Sequence, residues 1–329
     1  MITWWLTMPA LAGEHLVLQG QTVAQIATAH ATTPEIVRSM NALDAGEEPV
    51  TGAILVVPDP VGAGPIPAIV ASLVGSVRTT DPRGYPVKVA LGSTLPAGTT
   101  LCTADGYATL RVAAAPDGTH DDLYLTRGTC VRVRTATSSG GSRTSRVTLE
   151  QGSVSVRDAE SPGLVVVDTA SGVAASEGGG FRVHVESSGS TRTEALHAPV
   201  QLFGAGVQQA VDPGFGSRVR PGEAPSAPTP LLGPGSPSAP SEGASLRTAS
   251  FAWTEVPRAL GYRVEMSTAS DFSELVWSED VSRTTWSPEL LFLPTRAPGL
   301  WWRVASFDRT GFLGPPSNAR SLTYPSPGE

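Results

Sequence analysis

Residues able to do chemistry are few and dispersed in this chain. The five histidines, His15, His30, His120, His184 and His197, show neither HxH nor HxxxH spacing, so no metal-ligand set is expected. Asp121 and Asp122 beside His120 read as a solvated polar turn. Gly178, Gly179 and Gly180 precede neither a helical pattern nor a Lys-Ser/Thr pair, so they do not form a phosphate-cradling loop. There is no G-x-S-x-G elbow, and no Ser/His/Asp set can be assembled in a hydrolase order. Glu150, Asp158 and Glu160 offer carboxylates, but they flank strand patterns with no evident cleft between them. The expectation is a protein that is not an enzyme and takes no metal or cofactor. Cys102 and Cys130 are the one remaining reactive pair. A single disulfide between them would contribute roughly 3–4 kcal/mol on the chain-entropy account. Two buried free thiols are the competing reading.

Length and composition bound the setting. A chain of 329 residues suggests two or three domains. Hydrophobic residues at 40% and charged residues at 16% fit folded domains rather than a disordered chain. The 35 glycines and 29 prolines cluster in turns and linkers, which points to β-rich structure. A net charge of -7 argues against nucleic acid as a partner and against an anionic lipid surface, because both need a positive field. Residues 1–13 are apolar, lack Lys and Arg, and end in the A-x-A pattern Ala10-Leu11-Ala12. They read as a secretory signal peptide without its basic start, the alternative being a loose apolar terminus. The first reading places the protein in the periplasm or on the cell surface, with no transmembrane segment in the mature chain.

Residues 14–58 carry helical punctuation between two strand patterns. His15, Leu16, Val17 and Leu18 read as a strand. Thr22 followed by Gln25 forms a T-x-x-Q capping box, and Val23, Ile26 and Ala27 give one apolar helix face. Thr33-Pro34 starts a second helix with face residues Ile36, Val37 and Met40, ended by Asn41. A strand at Ile54, Leu55, Val56 and Val57 closes a βααβ unit. This unit resembles the LysM domain through Gly20-Gln21-Thr22-Val23, Ile26-Ala27, Pro34 to Val37, Met40-Asn41-Ala42-Leu43 and the terminal strand from Gly52 to Pro58. The resemblance implies a shallow groove for peptidoglycan or a related N-acetylglucosamine polymer. Its walls would be Gly20, Gln21, Thr22 and Val23 on one side and Asn41, Ala42 and Leu43 on the other. Gln21 stands where the family usually has a carboxylate. A retained scaffold that contacts protein instead of sugar is the alternative.

A turn-rich linker at 59–65 leads to residues 66–220, where period-two alternation recurs between turn signals, with no helical period. Val87, Val89 and Leu91 belong to one such strand pattern, Leu164 to Val167 to an unbroken apolar run, and Gln151-Gly152 reads as a turn. The region resembles the FecR domain of bacterial envelope proteins. The carrying residues are Leu73-Val74-Gly75-Ser76-Val77, Leu95-Pro96-Ala97-Gly98-Thr99, Asp105-Gly106-Tyr107-Ala108, Leu149-Glu150-Gln151-Gly152-Ser153-Val154 and Gly180-Phe181-Arg182-Val183. Gly179-Gly180 and His197-Ala198-Pro199 depart from the family's usual Gly-Thr and Glu-Gly. The resemblance implies an envelope scaffold. The founding members' cytoplasmic segment and membrane helix have no counterpart, so sigma-factor signalling is not carried over.

Residues 221–247 are rich in Pro, Gly and Ser and read as a semi-rigid spacer. Residues 248–325 alternate again and resemble a fibronectin type III-like β-sandwich through Phe251-Ala252-Trp253, Gly261-Tyr262-Arg263-Val264, Leu293-Pro294, Trp301-Trp302-Arg303-Val304 and Pro315-Pro316-Ser317-Asn318. The aromatics read as sandwich core, a sugar-stacking platform being the other possibility, with Trp277 and Trp286 the least clearly inward. The expected class is mainly β and multidomain: a small βααβ module, an all-β domain and a C-terminal sandwich. The expected function is envelope anchoring to glycan by the first module, with the β domains presented to an unidentified envelope protein.

Overall fold

The computed structural model describes residues 12–58, 66–112, 119–139, 142–157, 163–246, 250–287 and 299–323. Most of residues 1–13, the 59–65 linker, Asp158, Glu160 and Leu293-Pro294 lie outside them. The described chain is mainly β, built of several sheets, with two helices. Among the described residues no helix is long and apolar enough to cross a membrane.

The first unit runs β1 (Ala12–Leu16), α1 (Val23–Ala29), α2 (Pro34–Asn41) and β2 (Ile54–Pro58), the two strands pairing antiparallel. β1 thus starts and ends earlier than the strand expected at His15 to Leu18. Val17, Val23, Ile26, Val37, Leu55 and Val57 pack into a core of their own.

The central region folds into two facing sheets. Sheet I runs from edge to edge through Thr94–Leu95, Ala68–Val74, Tyr107–Val112, Asp121–Leu125, the end of Ser142–Val156, Phe181–Val185, Thr191–Ala195, Phe215–Val219 and Thr229–Pro230. Sheet II runs through Pro86–Val87, Val77–Thr80, Thr100–Thr103, Cys130–Ser139, the start of Ser142–Val156, Leu164–Asp168, Val173–Glu177, Val200–Gly204 and Val207–Val211. One continuous apolar core, including Leu110, Leu123, Leu149, Phe181 and Leu202, fills the space between them. Cys102 and Cys130 face each other across neighbouring strands of sheet II and are disulfide-bonded.

Several local expectations are corrected. Gln151-Gly152 is not a turn between strands. The strand Ser142–Val156 passes through it, leaving sheet II at Gln151 and joining sheet I at Gly152. Gly152 has φ +84°, and an added Cβ would lie 2.5 Å from Thr129 Cα, so only glycine fits. Asp121 and Asp122 are not a solvated loop. They begin a strand, Asp121 is buried and accepts a 2.5 Å hydrogen bond from Ser145 Oγ, and Asp122 pairs with Arg111 at 3.2 Å. Val87 lies in a two-residue edge strand and Leu91 is exposed. Pro86 and Lys88 blunt that edge against pairing with another chain.

The apolar run Leu164 to Val167 is explained by burial on both faces of sheet II. Val165 and Val167 point into the core, while Val166, Ala175 and Phe203 point outward and meet Leu16 and Ile54 of the N-terminal unit. The stretch read as a semi-rigid spacer is, over its described residues 221–246, paired to both neighbouring β regions. Thr229–Pro230 joins sheet I, while Pro237–Ala239 and Ala244–Ser245 join the two sheets of the C-terminal sandwich. Proline does not prevent this, because short edge pairings leave its missing N–H unneeded. The sandwich core holds Phe251, Trp253, Tyr262, Trp286 and Trp302, so Trp286 is inward. Trp277 is partly buried with the Arg127 guanidinium 4.5 Å from its ring centre.

Gly152→Ala should lower unfolding free energy by at least about 3 kcal/mol, since steric overlap adds to the strain of a left-handed residue. Gly84→Ala shares a positive φ, +86°, but meets nothing within 4 Å. It should lose only about 1 kcal/mol. Urea unfolding of the two variants checks the difference.

Candidate functional site

After β1 the chain turns at Gly20, and the Gln21 side chain folds back over the loop. Its Oε1 accepts the Leu18 N–H at 3.0 Å and lies 2.9 Å from His15 Nε2. His15 Nδ1 lies 2.9 Å from Nε2 of His30, the residue that caps the end of α1. Because an amide oxygen only accepts, His15 donates through Nε2. Its Nδ1 then accepts from His30 Nε2–H when both rings are neutral. Thr22 and Gln25 form the reciprocal capping box expected of them.

The helix start is completed from a distance. α1 has no acidic residue in its first turn, and Glu48, from the α2–β2 connection, accepts the Val23 N–H at 2.7 Å through Oε2. A carboxylate there satisfies an orphan donor and meets the positive end of the helix dipole. Glu48 Oε1 also takes Arg38 Nη2 of α2 at 3.2 Å. The connection between the first loop and the second therefore runs through Glu48 and Arg38. Sequence reasoning did not find Glu48. Its only signal was a Glu-Glu-Pro run in a loop with no fixed spacing to Val23.

The seven expected glycan contacts divide into two kinds. Val23 is a core residue and offers no side-chain surface. Asn41 serves the fold: its Nδ2 donates to Val37 O (2.8 Å) and Val56 O (2.6 Å), and its Oδ1 accepts the Val56 N–H (2.7 Å), clamping α2 to β2. Gln21 and Thr22 are engaged within the first loop. Gly20 and Ala42 are exposed, Ala42 as the left-handed cap of α2 at φ 52°, and Leu43 rests half-buried on the core. A third element approaches this rim. Gln19 N–H donates to Gln208 Oε1 of the Val207–Val211 strand at 2.7 Å, and Leu18, Val50 and Val207 are exposed apolar side chains around it.

A second polar region separates sheet I from the C-terminal sandwich. Arg182, His184, Arg192 and Glu194 project from sheet I towards Arg263 and Asp280 of the sandwich. Burial, helped by Arg192 and Arg263, pushes the pKa of His184 down to about 4. Burial also raises the pKa of Glu194 and lowers that of Arg182. Arg157 reaches across to Asp271 at 2.7 Å, and Arg182 Nη1 donates to Leu313 O at 3.1 Å.

No protein-family profile matches the chain, and no curated protein matches it. Among solved structures, two crystal structures of a "putative anti-sigma factor" from Parabacteroides distasonis ATCC 8503 are similar at 18% and 19% identity, each with a TM-score of 0.31. Each match covers 39% of this chain and 57% of that one, so the chain spans little more than half the length of these neighbours. A β-1,2-glucanase from Parabacteroides distasonis is similar over 79% of this chain and 37% of its own, at 14% identity and a TM-score of 0.20.

Asn41→Ala should destabilise the N-terminal unit by about 2 kcal/mol, because α2 and β2 lose three hydrogen bonds that join them through one side chain. Denaturant unfolding followed by exchange of the Val56 amide checks it. His184 makes a pH prediction. Its folded pKa of about 4 lies below the unfolded 6.5, so between these values the unfolded chain takes up a proton that the folded chain refuses. Stability falls as pH falls through that window, by at most roughly 3 kcal/mol. His184→Gln should flatten the profile between pH 7 and 4 by that amount, measured as unfolding free energy against pH.

Proposed function

We propose that this chain is an exported, non-catalytic cell-envelope protein. Its N-terminal βααβ unit, LysM-like, grips an N-acetylglucosamine polymer of the peptidoglycan type. Its FecR-like central domain and fibronectin type III-like sandwich are held away from the wall for an envelope protein partner. The observation that carries the reading is the Glu48 bridge, which ties the loop at Gly20, Gln21, Thr22 and Val23 to the connection that begins at Asn41, Ala42 and Leu43. Two loops so joined form one rim of fixed shape, and a rigid rim loses little entropy on binding. With Thr22, Val23 and Asn41 committed to the fold, contact falls to backbone groups around exposed Gly20 and Ala42, which suit acetamido and hydroxyl groups. Leu18 and Val50 supply apolar surface for sugar faces.

One observation favours a second reading, a scaffold whose LysM-like unit contacts protein. The unit already does so within the chain, where Leu16 and Ile54 pack on Phe203, Val166 and Ala175. That contact uses the strand face and leaves the rim open, so the glycan reading stands first.

The test is co-sedimentation of the full chain with insoluble peptidoglycan and with chitin, beside a Thr22→Ala/Glu48→Ala double variant. The parent should pellet with at least one polymer, and the variant should bind about tenfold more weakly, the equivalent of one good charge-assisted contact. A parent that stays in solution with both polymers gives the second reading the lead.

A further inference from the structure

The cleft between sheet I and the sandwich contains two adjoining cavities of about 350 and 220 Å³ that share Ser153, His184, Arg263 and Asp280 as a common wall. Polar atoms without a hydrogen bond end in each. The Tyr107 hydroxyl lines the larger cavity. It lies near the Ser278 backbone but makes no hydrogen bond of good geometry, and Tyr107 is 3% exposed. Glu194 lines the smaller one at 1% exposure. Its Oε1 takes the Leu313 N–H at 3.3 Å and its Oε2 has no partner. Buried polar atoms left open in this way are expensive unless something fills the space beside them.

The charges of the walls say what that occupant is. Arg263 is matched by a bidentate pair with Asp280 at 2.7 and 2.9 Å, and Arg192 by Glu186 at 2.9 Å. Glu279 is taken up by the indole N–H groups of Trp277 and Trp286. Arg182 and Arg127 are not matched in this way. Arg182 donates to two neutral acceptors, Ser155 Oγ at 3.3 Å and Leu313 O at 3.1 Å. Arg127 lies over the rings of Tyr107 and Trp277, at 5.5 and 4.5 Å. Two buried acids act on Arg182: Glu194, which burial holds towards its neutral form, and Glu265, which is already paired with Arg303 at 2.7 Å. The cleft is therefore rich in donors, two of its guanidinium groups, Arg182 and Arg127, having no direct carboxylate pair.

We propose that this cleft binds a small oxyanion, a compound bearing carboxylate or phosphate groups, whose oxygens accept from Arg182, Arg127 and the Tyr107 hydroxyl. The assignment is independent of the glycan reading, since none of these residues belongs to the N-terminal unit. Guanidinium groups suit such an occupant because their planar donors match oxyanion geometry.

The experiment is thermal unfolding of the full chain at neutral pH, titrated separately with citrate and with inorganic phosphate, ionic strength being held constant with sodium chloride. A saturable rise in the midpoint with either anion is expected. A rise with citrate alone identifies a carboxylate ligand, and one with phosphate alone a phosphate-bearing ligand. Tyr107→Phe removes a hydroxyl that lies near the Ser278 backbone and makes no well-formed hydrogen bond, so it should fold as the parent does and bind about tenfold more weakly. Arg127→Gln should show a loss of the same size, and Glu194→Gln, neutral at every pH, should bind at least as tightly as the parent. The proposal is overturned if neither anion moves the midpoint beyond the chloride control. It is equally overturned if Tyr107→Phe and Arg127→Gln respond as the parent does.

Discussion

The architecture depends on the close approach of backbone at the corners where strands leave one sheet of the central domain and enter the other. At Gly106 an added Cβ would meet the Val74 carbonyl oxygen at 2.3 Å, and at Gly152 it would meet the Gly128 carbonyl oxygen at 2.7 Å. Gly128 N–H in turn donates to Ala104 O at 3.1 Å, so successive corners stack on one another. Buried threonines finish the stack. Thr129 Oγ1 accepts the Ser153 N–H, and Thr103 Oγ1 accepts the Thr129 N–H, each at 3.0 Å. Backbone groups drawn into the corner thereby gain partners in place of water. Because Ser142–Val156 belongs to both sheets, the two layers cannot slide independently, and a single core forms between them.

The outer faces of that central domain are covered by opposite chemistries. Sheet II meets the N-terminal unit through Leu16, Val166, Ala175 and Phe203, flanked by Arg146, which pairs with Glu14 at 2.6 Å and Asp168 at 2.5 Å. Gly52 lies so close to Phe203 that an added Cβ would sit 2.7 Å from its Cβ. Apolar burial of this kind is non-directional and adds up with area, which suits a permanent junction. Sheet I meets the sandwich through arginines and carboxylates, with few apolar contacts such as Phe312 over Gly216. Charged layers gain little net energy from each pair once desolvation is counted, but they fix orientation and leave solvent-sized gaps. The cavities lie on that second side.

Much of this was legible in residue patterns, and the failures share a cause. The capping box at Thr22 and Gln25, the αα turn at Pro34 and the alternating strands are local, and local signals survive without knowledge of the fold. Glu48, His15 and Asn41 act across 15 or more residues, so no spacing rule marks them. Gln151-Gly152 carried a genuine turn signal, but a positive-φ glycine serves equally for a hairpin and for a strand that changes sheets. The 221–247 segment misled through composition. Pro230 and Pro237 lie in short edge pairings that do not need their N–H, while Leu232 and Leu246 supply buried anchors. Asp121 was unreadable because its partner, Ser145, lies on a strand of the opposite sheet.

The placement of the two candidate sites follows from this division of faces. The rim around Gly20, Ala42 and Glu48 sits beyond the outer face of sheet II, and the oxyanion cleft lies on the outer face of sheet I. The full thickness of the central sandwich stands between them. Attachment of the N-terminal unit to a polymer would therefore leave the cleft facing away from it. The docked 221–247 segment strengthens the consequence, since Thr229–Pro230 extends sheet I and Pro237–Ala239 extends the sandwich within a few residues of each other. A free spacer would let the sandwich wander and open the cleft. A segment paired at both ends keeps the Arg182 and Arg263 walls opposed, so the cleft is preorganised by backbone pairing as well as by the charges that line it.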